Sequence, residues 1–177
     1  MAAALSLAFV SSTASPAQTE GATPSLHGVV SASLCADAYV LALFEPDEIQ
    51  ALSWQVDQVV SAAPGWARDY PQAWPDAERL YHLSPELVVF GPGEGAGMAP
   101  LLEQAGIEVV QLQWGEDFAT VRHNLARLGD VADLSPRAGE AIADLEARLA
   151  NLRTRRDHRA GEADVFYLSS SGGSAGA

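Results

Sequence analysis

The stretch "AERLYHLSPELVVFG", residues 77–91, holds a helix, a break and a strand. Asp76 stands just before it, an oxygen side chain able to accept from the free N–H groups of a first helical turn. Ser84-Pro85 closes the helical pattern, because proline disfavours α geometry in the residue before it. "ELVVF" is then a short apolar run rich in β-branched residues, which reads as a strand. It runs into "GPGEGAG", a glycine-rich turn at 91–97.

Working outward, the same alternation continues on both sides. Upstream, "HGVVSAS" reads as a strand and Ala36–Leu43 as a short helix. "EPDE" is a turn, "IQALS" a second strand, and a long proline-containing loop runs from Trp54 to Pro75. Downstream, "MAPLLEQAG" is a helix that Gly106 ends, "IEVVQL" a strand, and "EDFATVRHNLARLGDVADL" a helix. Strands alternating with helices across short loops predict an α/β fold, a parallel sheet with helices on both faces. Ligands of such sheets bind outside the carboxyl ends of the strands. The loops at those ends are Leu34–Asp37, Trp54–Asp57, Gly91–Gly95 and Trp114–Asp117.

From Ser135 to about His158 the register changes to one long amphipathic helix, with Ala138, Ile142, Leu145, Leu149 and Leu152 spaced by threes and fours. Ser135 and Pro136 suit its start, and arginines gather where the helix dipole favours cations. At 1.5 Å per residue it is about 35 Å long, the width of a domain. "ADVFYL" (163–168) reads as a further strand, and "SSSGGSAGA" follows. A strand leading into a glycine-serine loop predicts more fold behind it, so the sequence reads as an interrupted protein.

The net charge is −13, and all ten basic residues are arginine. Six of these lie between Arg137 and Arg159, leaving a strongly acidic body that excludes a nucleic-acid backbone as partner. The single cysteine excludes an internal disulfide. "MAAALSLAFVSSTASPAQTE" reads as a signal-like leader with Ser15-Pro16-Ala17 as a small-residue cleavage site, which predicts export. No apolar run reaches the roughly 18 residues of a membrane span, so stable membrane insertion is not expected.

The blocks "SLCAD", "ALFEPDEIQALS", "YPQAWPDAERLYHLSPELVVFG" and "LLEQAGIEVVQL" together resemble the solute-binding proteins of vitamin B12 and ferric-siderophore ABC importers. The resemblance runs from about Val29 to Leu168. It implies two α/β lobes joined by one long helix, with ligand held in the cleft between them. On that basis 1–25 is leader and linker, 26–134 the N-terminal lobe, 135–159 the connecting helix and 160–177 the first strand of an incomplete C-terminal lobe. The implied function is non-enzymatic: capture of a ferric siderophore or cobalamin-type chelate in the periplasm and delivery to the importer's permease, without a resident cofactor. Glu78 matches the carboxylate with which this family docks onto permease arginines. "WPDAE" departs from the family, whose relatives often place a glycine before the small residue and glutamate.

The cleft candidates are Leu34, Cys35, Ala36, Trp54, Tyr70, Trp74, Gly91, Pro92 and Trp114, with Trp66 nearby in the long loop. Tryptophan and tyrosine suit flat chelates, which are held by stacking and a few polar anchors, and a tyrosine such as Tyr70 is able to ligate haem iron. Cys35 is expected to be structural or ligand-lining, with a pKa somewhat lowered by the helix start. His27, His82, His123 and His158 are scattered, so no bare-metal site is expected. "GPGEGAG" lacks the lysine of a phosphate loop and the G-x-G-x-x-G spacing. The alternatives are an α/β enzyme or cofactor-binding domain with chemistry at the same strand ends, and a truncated receptor that binds nothing. Against the enzyme, no nucleophile–base pair or paired catalytic carboxylates can be assembled.

Overall fold

A computed structural model of the chain describes residues 28–115 and 117–157. The leader and "ADVFYL" lie outside the described residues. Five parallel strands form one sheet: β1 (Val29–Ser31), β2 (Ile49–Ser53), β3 (Gln72–Ala73), β4 (Leu87–Phe90) and β5 (Glu108–Gln111), in the order β3-β2-β1-β4-β5. The helices are α1 (Leu34–Leu43), α2 (Ala77–Leu83), α3 (Ala99–Gln104), α4 (Phe118–Val131) and α5 (Ser135–Asp157).

Successive strand residues point to opposite faces, and both faces are packed. Val29, Leu87, Val89 and Val110 meet Ala36, Val40, Leu43, Leu128 and Ala138 of α1, α4 and α5. Their chain neighbours Val30, Val88 and Val109, with Ala51 and Phe90, meet Leu80 of α2 and Leu102 of α3. Two-sided burial explains why the strands read as continuous apolar runs rather than alternating ones.

The local signals act as expected around α2. The Asp76 carboxylate accepts from Arg79 N–H at 2.9 Å. Ser84 closes the helix in the left-handed region at φ 50°. The segment expected to be one long loop is different. It contains 3-10 turns at Trp54–Asp57 and Gly65–Asp69 and returns as β3, an edge strand the sequence did not announce. A two-residue strand is too short to carry periodicity. α1 also starts earlier than expected, because Ser33 caps it through Ala36 N–H. The Ser135 hydroxyl donates to Asp130 instead of capping α5.

Long α5 packs on α4 and α1 through its first half. Arg137 reaches back to the buried Glu48 carboxylate and to the carbonyl of Leu43. Beyond Ala138 the apolar stripe emerges, and Leu152 is exposed.

Candidate functional site

In the strand order β3-β2-β1-β4-β5 the chain reverses its direction of travel across the sheet between β1 and β4. A crevice opens at such a switch point, outside the strand ends. Its floor here is small and polar. Ser31 ends β1 and Ala32 and Ser33 follow it, all buried, and Gly91 follows β4. A Cβ on Gly91 would stand 2.5 Å from Ser33 Oγ, so only glycine lets the two strand ends approach this closely. Gly95, at φ +76°, folds the next turn back over the Phe90 ring. Gln111 Nε2 donates to the Glu94 carbonyl at 2.7 Å and ties this turn to β5.

Asp37 fastens the other side. It is the one charged residue of α1 and is 2% exposed. Ser53 N–H and Oγ donate to its two oxygens at 2.9 and 2.6 Å. Burial raises the Asp37 pKa against the hydrogen bonds of Ser31 and Ser53, which lower it. Two residues beyond Ser53, Gln55 Oε1 accepts from Leu34 N–H at 3.1 Å. The ends of β1 and β2 are therefore bound to each other, and Trp54 leaves β2 from a fixed point.

Aromatic side chains form the walls. Trp54 and Trp74, from the ends of β2 and β3, stack with centroids 5.1 Å apart and planes 8° from parallel. The Arg79 guanidinium lies over the Trp74 ring, 5.6 Å from its centroid. On the far side, Trp114 follows β5 and is 76% exposed. Its neighbour Gln113 is clamped at both backbone groups by buried Asn124, N–H to Oδ1 at 2.9 Å and Nδ2 to carbonyl at 3.1 Å. β2 and β5 are three strand spacings apart, about 14 Å, so the aromatic side chains stand on opposite sides of the floor and bound a trough between them.

The sequence candidates thus divide. Leu34, Cys35, Ala36, Trp54, Trp74, Gly91, Pro92 and Trp114 share the carboxyl edge of the sheet. Tyr70 does not. It precedes β3, and its hydroxyl donates at 2.7 Å to the carbonyl of Pro46, in the connection that enters β2 from the opposite edge. Trp66 packs edge-on against it. Burial and then Asp47 push the Tyr70 phenol up, which opposes the phenolate that iron ligation needs.

Cys35 corrects a second expectation. Its thiol is exposed at the start of α1, yet its pKa is raised, by partial desolvation first and then by Glu94 and Asp37. These effects outweigh the helix dipole, and the thiolate is disfavoured.

Glu78 projects from the first turn of α2 with 85% of its side chain exposed, 3.8 Å from His82 Nε2. Leu80 alone is buried on that helix. Among the described residues no group of three His, Cys, Asp or Glu is placed to hold a metal ion. No helix among them is long and apolar enough to cross a membrane. Two cavities, of about 540 and 400 Å³, lie against the outer side of α1 rather than over the floor; the smaller touches Leu34 and Asp37. Their walls are largely aliphatic, with Asp144 and Arg148 paired at 2.8 Å on the rim of the larger.

Sequence reasoning missed Asp37, Gln55 and Asn124. A lone carboxylate inside the apolar run "LCADAYVLAL" was a usable signal, since such groups are buried only when partnered. Gln55 and Asn124 carried none.

No protein-family model and no curated protein matches the sequence. Solved structures do match it. A periplasmic heme-binding protein of Pseudomonas aeruginosa superimposes with a TM-score of 0.58 at 26% identity, over 75% of this chain and 46% of that one. A periplasmic vitamin B12-binding protein of Vibrio cholerae gives 0.59 at 21% identity, over 76% and 52%. The apo periplasmic heme-binding protein of Roseiflexus sp. RS-1 gives 0.64 at 15%, over 77% and 52%. The fold is that of the N-terminal lobe of a periplasmic binding protein. The chain spans about half the length of these structures. These neighbours are periplasmic binding proteins rather than enzymes.

Proposed function

We propose that this chain supplies the N-terminal, ligand-facing lobe of an extracytoplasmic solute receptor for an ABC importer, and that its cargo is a flat or compact metal chelate of the ferric-siderophore, corrinoid or haem class. The observation that carries this reading is the trough at the carboxyl edge of the sheet, with aromatic walls on a floor of buried serines and glycine.

Binding here needs no bond-making. The aromatic faces supply apolar area and stacking, worth about 0.5–1.5 kcal/mol per ring pair beyond burial. The floor supplies a rigid base: its serines are buried and hydrogen-bonded internally, and Asp37 and Gln55 hold the ends of the strands in place. Because those clamps are satisfied before ligand arrives, little ordering cost remains at binding. The segments 26–134 and 135–159 act in this proposal as lobe and connecting helix. Glu78 is assigned the permease contact: exposed, on a helix anchored by Leu80, and separate from the trough floor. Exposed ion pairs are individually weak, so its contribution is to orientation and encounter.

The test is a tryptophan-quenching titration with a panel of ferric siderophores, cobalamin and haemin, paired with an uptake assay for Glu78→Ala. Saturable quenching, with Glu78→Ala reducing uptake and leaving the quenching curve in place, is expected. No saturable quenching by any member of the panel would refute the reading.

A further inference from the structure

Four arginines lie in the lobe, and their heads are used differently. Arg122 faces Glu146 of α5, and Arg127 donates to the Gln111 carbonyl. Arg68 sits in the 3-10 turn beside Trp66. Only Arg79 places its guanidinium on a tryptophan at the carboxyl edge of the sheet. Its neighbouring carboxylates are occupied elsewhere, Asp76 with the Arg79 N–H and Glu78 beside His82. Trp74 under it is 43% exposed and is itself stacked on Trp54.

We infer that Arg79 is a specificity-determining residue of the trough, and that the ligand it selects is a flat chelate bearing a carboxylate on its edge. This rests on the receptor reading above. The Arg79 side chain is exposed and its guanidinium is held 5.6 Å from the indole centroid. A cation over a ring face keeps its N–H donors for other partners, and a fork of donors matches a carboxylate. A ligand lying on the Trp54–Trp74 shelf would present its rim to that fork. The rest of the chain is strongly acidic, so without Arg79 this edge of the trough would repel an anionic rim. Haem has such carboxylates; cobalamin has carboxamides at the corresponding edge and gains nothing from the charge.

The experiment titrates the full 177-residue chain with haemin, haemin dimethyl ester and cyanocobalamin, following tryptophan emission. Wild type should bind haemin about tenfold more tightly than the ester, the scale of one charge-assisted hydrogen bond. Arg79→Gln should abolish that preference and leave the ester's affinity in place, while Arg79→Lys should keep a part of it. Equal weakening of haemin and ester by Arg79→Gln would make Arg79 a mere support for Trp74 and overturn the inference. So would equal binding of haemin and ester by wild type, or tighter binding of cobalamin; both leave the receptor reading standing. Quenching by none of the three would overturn the inference together with the receptor reading for these ligands.

Discussion

The floor and the walls of the trough are built in opposite ways. The floor is buried, polar and cross-linked: Ser31, Ser33, Asp37, Ser53 and Gly91 leave almost no freedom between the ends of β1, β2 and β4. The walls are large, aromatic and exposed, with Trp74 and Trp114 presented to solvent from anchored backbone. Stability therefore concentrates in the floor, and the proposed receptor function assigns recognition to the walls. That division suits a receptor, because wall residues can change with the ligand while the sheet stays intact.

The sharpest way to break this comparison is at Asp37. Asp37→Ala strands the Ser53 N–H and hydroxyl in a buried place, and a loss of about 3 kcal/mol in urea unfolding is expected. Asp37→Asn isolates the charge. Because the folded pKa lies above 3.8, the folded state holds this proton more tightly than the unfolded chain does. Asp37's own contribution is therefore greatest below that value and declines as pH rises through the raised pKa. Stability measured against pH should show wild type losing ground to Asp37→Asn across that window; a flat difference would mean the carboxyl is not perturbed.

Gly91→Ala comes next. The new methyl meets Ser33 Oγ, the cap of α1, and about 2 kcal/mol of destabilisation is expected in the same assay. Trp74→Ala should cost only about 1 kcal/mol in stability, yet remove most ligand-induced quenching. Equal losses from Trp74→Ala and Asp37→Ala would erase the distinction between wall and floor. The smallest effect belongs to Cys35: its raised pKa predicts labelling by a disulfide reagent at neutral pH a few-fold slower than for free cysteine, and faster labelling would contradict the electrostatics described.

Much of this was legible in the sequence because it is local. Capping by Asp76, the break at Ser84-Pro85 and the apolar strands β1, β2, β4 and β5 all follow from short-range preferences. The tryptophans at strand ends were visible for the same reason. What stayed hidden depends on long-range placement. β3 exists only because it pairs with β2 through Leu52–Gln72 and Ser53–Ala73. Tyr70 looked like a cleft residue because it is an aromatic of the long loop; the chain crosses there to the opposite edge and returns as β3. The Asn124 clamp joins residues 11 apart across a turn, a relation no composition reveals. The Cys35 pKa depends on Glu94, which only folding brings near.

The central claim is that chelates bind at the carboxyl edge of the sheet. Hydrogen–deuterium exchange of the full chain, with and without the best quencher of the panel, tests it most directly. Protection confined to residues 31–36, 54–57, 91–95 and 112–115 is the predicted result. Protection centred instead on the cavity between α1, α4 and α5, with those loops unchanged, would contradict it.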